Sequence, residues 1–175
     1  YYRLKDTSVL VHHYIKDTTT SLSADVTVNG QIDDEYTTTI ANDIPEQYEL
    51  VAEPDNKAGT MTKEQIVVTY YYQLKNYPYV VNYLEKDTDK VLHEAKQGGE
   101  LVYGSTINSV DEKIEIDGYK FDSFNQDVLT IGTSKNVINI YYTKRNDLSY
   151  KVNYLEKDTN KVLYAQKVVE NMIFE

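Results

Sequence analysis

The sequence predicts an α+β fold that is mostly β and is built from small modules repeated in tandem. The first observation is a twelve-residue phrase that recurs almost unchanged, as VNYLEKDTDKVL at 81–92 and VNYLEKDTNKVL at 152–163, with Asn160 in place of Asp89. The second is composition, since 18 of the 175 residues are Tyr and Tyr, Val, Ile and Thr favour strands. The third is the scarcity of Gly and Pro, of which the whole chain has 7 and 3. Repetition of a strand-forming phrase indicates a row of β modules.

The repeat extends beyond this phrase and has a period of about 70 residues. YYQLK at 71–75 corresponds to YYTKR at 141–145. HHYIKD at 12–17 matches the duplicated phrase in a degraded form when Tyr14 is placed opposite Tyr83. The period therefore runs through nearly the whole chain.

This period divides the chain into four parts. They are residues 1–5 as the end of an upstream copy, 6–75 and 76–145 as two complete copies, and 146–175 as the truncated start of a further copy. The joints KNYP at 75–78 and KRND at 144–147 are short, so we expect an extended, semi-rigid rod. We interpret the two ends, YYRLK and NMIFE, as cuts through a longer protein, and we expect the final hairpin to lean on the second copy or to be mobile.

Each complete copy is predicted to contain four strands and one crossover. The strands, which alternate or run apolar between polar turns, are 10–15, 24–28, 48–53 and 66–72 in the first copy and 80–85, 91–96, 119–124 and 137–142 in the second. The segments 35–43 and 103–114 are predicted as a short helix or a coil crossover, which supplies the α part of the fold.

Comparison of the copies also predicts a register for the first strand. His12 is placed opposite Val81 and Tyr14 opposite Tyr83, so that these positions share one face, while His13 lies on the opposite, more polar face. In the last strand the predicted core positions are Val68 with Ile138 and Tyr70 with Ile140.

The duplicated phrase itself is predicted to be a β-hairpin. VNYLE is a strand, KDTD or KDTN is a polar turn, and KVL begins the return strand. Asp and Asn both suit turns because they bond nearby backbone and tolerate unusual dihedral angles. The single difference between the two copies, Asp89 against Asn160, is therefore one that a turn accepts.

The order of these strands resembles the MucBP repeats of Gram-positive surface proteins. The matching residues are VHHYIKD, QYELVAE and IVVTYYY in the first copy and VNYLEKD, DGYKFDSF and VINIYY in the second. The resemblance implies ubiquitin-like β-grasp modules, each a small mixed sheet crossed by a short helix. It also implies an extracellular, cell-wall-anchored adhesin that binds host mucin or another extracellular glycoprotein or glycan. The first copy departs most, because His12, His13 and a Thr-rich turn replace VN and KDTD.

Composition argues against several classes of partner. A formal charge of −10 disfavours nucleic acid and anionic lipid, which attract clustered Lys and Arg. The absence of Cys excludes disulfides, thiolate metal sites and thiol catalysis. No apolar run approaches the ~20 residues of a membrane span, so we expect no membrane insertion by this segment. We expect a monomer within a longer multi-repeat chain.

The residues that could serve a metal site or catalysis are interpreted as structural or as parts of turns and loops. His12 and His13 are neighbours on a strand and point to opposite faces, so they and His93 are interpreted as structural. Asp87-Thr88-Asp89 carries alternating carboxylates that calcium could use, but it lacks the remaining ligands of a calcium loop and is interpreted as a turn. Asp33-Asp34-Glu35 is interpreted as a solvated loop rather than a glycosidase pair. We predict no enzyme activity and no cofactor; a Lys–Asn isopeptide bond stays open.

Tyrosine is the remaining candidate for ligand binding. The clusters near the ends of the copies offer Tyr71, Tyr77, Tyr79 and Tyr141. Exposed Tyr side chains stack on sugar rings or anchor protein partners, although alternate Tyr residues in a strand more often pack the core. Three functions remain open: an adhesin that binds mucin, a spacer that projects a distal domain, and an accessory module of a glycan-degrading enzyme.

Overall fold

The computed structural model describes residues 5–174, and nearly all of their regular structure is β. They form two compact units that divide between Asn76 and Tyr77. The predicted end of an upstream copy, residues 1–5, lies outside the described residues apart from Lys5.

The first unit is a mixed four-stranded sheet with a small ribbon beside it. Its strands are β1 (Asp6–Ile15), β2 (Ser21–Gln31), β3 (Glu35–Thr37), β4 (Tyr48–Ala52), β5 (Ala58–Thr60) and β6 (Ile66–Leu74). The sheet has the order β2-β1-β6-β4. Its central pair, β1 and β6, is parallel, and the two outer strands are antiparallel to their neighbours. The short strands β3 and β5 pair with each other in a separate ribbon.

The second unit repeats this topology and continues into a hairpin. Its strands are β7 (Asn76–Glu85), β8 (Val91–Val102), β9 (Thr106–Asn108), β10 (Tyr119–Phe124), β11 (Val128–Thr130), β12 (Val137–Lys144), β13 (Leu148–Leu155) and β14 (Val162–Met172). The sheet order β10-β12-β7-β8 again has a parallel central pair, and β9 and β11 form the ribbon. The hairpin of β13 and β14 is a separate two-stranded sheet. All eight predicted strands are found, whereas the two ribbons were not predicted.

The crossover of each unit contains no α-helix among residues 5–174. In the first unit, β3 is followed by irregular chain. In the second, β9 is followed by one 3₁₀ turn at Ser109–Glu112. The Thr and Ile residues of these segments are poor helix formers, which accounts for the missing helix. The prediction of a mostly β fold is confirmed, and its helical part is limited to this 3₁₀ turn. Within the described residues, no helix is long and apolar enough to cross a membrane.

The predicted register of the first strand is wrong by one residue in the first copy. Val11 pairs with Val68, and Val81 pairs with Ile138, so Val11 and not His12 is equivalent to Val81. The buried positions of β1 and β7 are Val9, Val11 and His13 in the first unit and Tyr79, Val81 and Tyr83 in the second. Because side chains alternate between faces, a shift of one residue moved His12 and Tyr14 to the wrong face. The error came from matching Tyr14 with Tyr83 by identity.

The predicted core of the last strand is confirmed. Val68, Tyr70, Ile138 and Ile140 are each exposed by no more than 1%. They belong to two separate clusters, one in each unit. Tyr70 and Tyr72 of the first cluster, and Tyr142 of the second, show that alternate Tyr residues in these strands pack inward.

The hairpin turn of the duplicated phrase explains its single sequence difference. Asp87 and Asp89 have φ angles of 66° and 54°, and Asp158 and Asn160 have φ angles of 72° and 57°. These are left-handed conformations, in which Asp and Asn are enriched among residues other than Gly. The prediction of a hairpin with an Asp or Asn turn is therefore confirmed in both copies.

The chain that follows the final hairpin packs against the four-stranded-sheet part of the second unit through Phe174. Its ring lies edge-on to Tyr119 at 6.0 Å between centroids, and it covers Gly118, where an added Cβ would come within 2.2 Å of the ring. The backbone N–H of Arg145 donates to Gly118 O at 2.8 Å, and the N–H of Phe174 donates to Arg145 O at 2.9 Å. The absence of a side chain at Gly118 therefore allows the Phe174 ring to pack there.

We expect Gly118→Ala to disrupt the packing of Phe174 against the second unit. Gly118 has a φ of +78°, and the new methyl group would collide with Phe174. Gly104→Ala is the matched control, since Gly104 has a φ of +83° but nothing within 4 Å of an added Cβ. Both variants carry a left-handed strain of about 1 kcal/mol. Amide hydrogen exchange at 172–174 should therefore become faster in Gly118→Ala only. Equal exchange rates in the two variants would show that Phe174 does not depend on Gly118.

His13 occupies a core position at which the second unit has Tyr83. Its side chain is 1% exposed, its Nδ1 is hydrogen-bonded to the Tyr72 hydroxyl at 3.0 Å, and its ring stacks on Tyr70 at 5.2 Å. Burial lowers the pKa of His13 from its ordinary value of 6.5, against a smaller raising effect of Asp43 and Asp25 and with a small lowering effect of His12.

We expect acid to destabilise the first unit through His13. The unfolded chain takes up a proton near pH 6.5, but the folded unit resists it, so stability falls as pH drops below 6.5 and levels off below the folded pKa. The matched variant His13→Tyr copies the second unit and should lose this component. Hydrogen exchange of β1 and β6 amides at pH 7 and pH 5 measures it. The same acid response in wild type and His13→Tyr would rule the mechanism out.

Candidate functional site

The four candidate tyrosines fall into two structural groups. Tyr71 is 42% exposed and Tyr141 is half-buried, and they occupy equivalent places in β6 and β12. Tyr79 is 7% exposed, and its hydroxyl donates to Glu112 Oε1 at 3.1 Å, so its ring faces the core. Tyr77 packs against the core of the second unit and meets Tyr103 edge-on at 6.4 Å. Tyr71 and Tyr141 each line a groove, one in each unit.

The groove in the first unit lies where the β1–β2 turn meets strands β4 and β6. Its volume is about 630 Å³. Its lining residues are Lys16, Asp17, Thr18, Thr19, Val51 and Tyr71. Val51 is the extra residue of a bulge, since Leu50 pairs with Tyr72 and Ala52 with Tyr71. A bulge re-aims a side chain, and Val51 is left 39% exposed next to Tyr71.

Most polar groups of this groove have no protein partner among the described residues. The Lys16 ammonium, the Asp17 carboxylate and the Thr19 and Tyr71 hydroxyls all end in solvent there. Thr18 is the exception, because its hydroxyl donates to Ile15 O at 2.9 Å and accepts from Thr20 N at 3.0 Å. The bonds of the Thr18 hydroxyl therefore hold the turn in place, while the polar side-chain groups of Lys16, Asp17, Thr19 and Tyr71 are available to a ligand.

The equivalent groove in the second unit is smaller and internally bonded. Its volume is about 310 Å³, and it is lined by Lys86, Asp87, Asp89, Ser123 and Tyr141. The bulge residue that corresponds to Val51 is Asp122, which lies between the pairs Phe121–Tyr142 and Ser123–Tyr141.

Asp122 ties this second groove together. Lys86 Nζ lies 2.6 Å from Asp122 Oδ2, and the Ser123 hydroxyl donates to the same oxygen at 2.7 Å. The bond from Lys86, followed by that from Ser123, lowers the pKa of Asp122, and the bond to Asp122 raises the pKa of Lys86. The lysine that is free in the first unit is neutralised here.

A third cavity, of about 370 Å³, lies in the first unit between the sheet and the crossover. His13 and the chain from Thr37 to Asp43 line it. In the second unit, Glu112 joins the crossover to the sheet: its carboxylate pairs with Lys96 and accepts from Tyr79. Thr38 in the first unit makes a single side-chain contact of this kind, its hydroxyl lying 2.9 Å from the Tyr70 hydroxyl.

The histidines are placed as parts of the sheet. On the outer face, His12 Nδ1 lies 2.8 Å from Asp25 Oδ1, and the ring stacks on Tyr14 at 4.8 Å. His13 lies on the core face, so the two neighbours point apart. His93 meets Tyr83 edge-on at 5.5 Å. Within residues 5–174, no three His, Asp or Glu side chains gather as a metal would require.

The sequence names Tyr71 and Tyr141 as candidates but not the residues that surround them. In the sequence, Lys16, Asp17 and Thr19 indicate only a turn, and Val51 only a strand. The signal was present in the mid-copy strand, where QYELVAE aligns with GYKFDSF and places Val51 opposite Asp122. The first copy has the apolar Val51 where the second copy has the carboxylate of Asp122, and both copies have a lysine at the equivalent turn position. This difference in sequence distinguishes the first groove from the second.

Known proteins match this chain at the level of its repeats. The model of the MucBP domain matches residues 8–73 and again residues 78–143. Internalin J of Listeria monocytogenes serotype 4b (strain F2365) is 37% identical over 168 residues, which covers 92% of this chain and 18% of the relative. Internalin J of Listeria monocytogenes serovar 1/2a (strain ATCC BAA-679 / EGD-e) is 36% identical over 137 residues, 75% of this chain and 15% of the relative.

The chain thus spans less than a fifth of the length of these curated relatives. A solved structure of Streptococcal High Identity Repeats in Tandem (SHIRT) domains 3-4 from a cell surface protein aligns over 80% of this chain and 98% of its own. The sequence identity is 11% and the TM-score 0.35, too low to equate the two folds.

Proposed function

The chain belongs to the MucBP domain family, and from that premise we propose that it is a non-catalytic repeat region of a bacterial cell-surface adhesin. Its ligand is mucin or another host extracellular glycoprotein. The observation that carries the proposal is the tandem pair of family domains, one of which holds an open groove beside an exposed tyrosine. A folded unit that recurs with different surface residues suits binding more than a reaction, which needs one set of groups in one place.

The same proposal includes the boundaries and fold of the modules. Residues 6–75 and 76–145 are two repeats, 146–175 opens a further one, and residues 1–5 belong to an upstream one. Each repeat is a β-grasp domain, which the mixed four-stranded sheet supports. The protein is extracellular, anchored to the cell wall and monomeric.

The alternative function is that of a spacer that projects a distal binding domain. The second unit favours it, because Lys86 in its smaller groove is paired with Asp122 while its sheet topology is the same as in the first unit. A repeat that keeps its sheet but bonds its own polar groups to each other suits a structural link. The two functions also coexist if one repeat binds and the next extends the chain.

We expect the full chain to bind purified gastric mucin saturably, and to lose this binding when the mucin is deglycosylated. Because both partners are acidic, the chain carrying a charge of −10, added salt should not weaken binding, in contrast to an electrostatic contact. Biolayer interferometry with immobilised chain measures this, with serum albumin as an acidic control surface. An absence of binding to intact mucin would contradict the adhesin proposal and favour the spacer.

A further inference from the structure

We propose that the groove beside Tyr71 binds a neutral pyranose ring and that the equivalent groove beside Tyr141 does not. The inference rests on the proposed function and assigns it to one site in one unit. It is carried by the difference between two equivalent places in the same chain, which share a tyrosine, a lysine and an aspartate but differ in how these groups are bonded.

The apolar part of the groove suits the C–H face of a sugar. Tyr71 and Val51 are 42% and 39% exposed, and they lie side by side where the bulge of β4 meets β6. A pyranose has one face of C–H groups that packs on an aromatic ring, while its hydroxyls point outward around the rim. Tyrosine presents such a ring at little entropic cost, since only two side-chain torsions must be ordered.

The polar groups at the rim suit the hydroxyls of the same ring. The carboxylate of Asp17 accepts hydrogen bonds, the ammonium of Lys16 donates them, and the hydroxyl of Thr19 does both. None of them has a protein partner among the described residues, so a ligand breaks no protein bond when it engages them. The bonds of the Thr18 hydroxyl hold the turn in place beforehand, and such pre-organisation lowers the cost of binding.

The local charge selects a neutral sugar over an acidic one. One ammonium, Lys16, and one carboxylate, Asp17, line the first groove, so its charges cancel. A carboxylated or sulfated sugar would place its anion beside Asp17 as well as Lys16. The chain as a whole has a charge of −10 and adds a further repulsion for anionic ligands.

The second groove is less suited to a neutral sugar in its volume, its charges and the residue beside its tyrosine. Its volume is about half, at about 310 Å³ against about 630 Å³. Lys86 is held by Asp122 at 2.6 Å, and Asp89 stands where the first unit has Thr19. Asp122 also replaces the apolar contact that Val51 offers next to the tyrosine. A sugar would have to break an ion pair there and would find more carboxylates than the groove can neutralise.

The test is saturation-transfer NMR on the full chain with galactose and N-acetylglucosamine as neutral probes and glucuronic acid as an acidic one. We expect transfer to the neutral probes, with millimolar affinity on the order expected for so small a ligand. Tyr71→Ala should weaken this affinity by about ten-fold, the effect of removing one aromatic anchor. Tyr141→Ala, the matched control, should leave it unchanged.

A second variant occupies the lysine of the groove and leaves the Tyr71 ring in place. Val51→Asp reproduces the Asp122 position, so the new carboxylate should pair with Lys16 as Asp122 pairs with Lys86, and neutral-probe binding should again fall about ten-fold. Both Tyr71 and Val51 point outward, and an unchanged ¹H–¹⁵N spectrum of the core residues verifies the fold of each variant.

The outcomes separate this inference from the proposed function. Equal binding by Tyr71→Ala and wild type, equal loss in Tyr71→Ala and Tyr141→Ala, or preference for glucuronic acid would overturn the inference. A wild-type chain that binds intact mucin but neither neutral sugar would overturn it too, while the adhesin proposal stands. A chain that binds neither mucin nor sugar would overturn both.

Discussion

The parallel contact between the first and the last strand of each sheet is the interaction on which the rest of the structure depends. Strands β1 and β6 come from opposite ends of the first unit, as β7 and β12 do in the second, and their pairing brings the buried residues of both ends into one core. Val11 beside Val68, and Val81 beside Ile138, are almost fully buried at the centre of this contact. The outer strands attach to the two sides of this pair, and each needs it as a template.

This shared frame lets the two units carry different surfaces. The turn after the first strand and the bulge of the third sheet strand meet at the same place in both units, because the central pair sets their positions. What differs is chemistry: Val51 leaves Lys16 free, whereas Asp122 neutralises Lys86. The crossovers also differ in chemistry: Glu112 bonds to Lys96 and Tyr79 in the second unit, whereas the Thr38 hydroxyl contacts the Tyr70 hydroxyl in the first. The chemistry of the groove therefore differs from one repeat to the next, while the frame of the sheet is shared.

The sequence predicts the frame well, but of the residues that line the two grooves it singles out only the tyrosines as ligand candidates. The strands and the Asp or Asn turn follow from alternation and from turn chemistry, which are local properties. The register of β1 did not follow, because His13, a polar residue, takes the core place of Tyr83, and the tyrosine at position 14 suggested a false match. The ribbons of three-residue strands are too short to show alternation. The groove beside Tyr71 joins residues from three distant segments, so only the fold reveals that Lys16 and Val51 are neighbours.

Native-state hydrogen exchange of the full chain tests most directly whether the parallel pair holds each unit together. We expect the amides of the parallel ladders, β1 with β6 and β7 with β12, to exchange last in their unit and only through its complete unfolding. The amides of β2, β4, β8 and β10 should exchange earlier, by partial opening at the outer strands. Slower exchange in an outer strand than in the central pair of the same unit would show that the parallel pair does not hold the unit together.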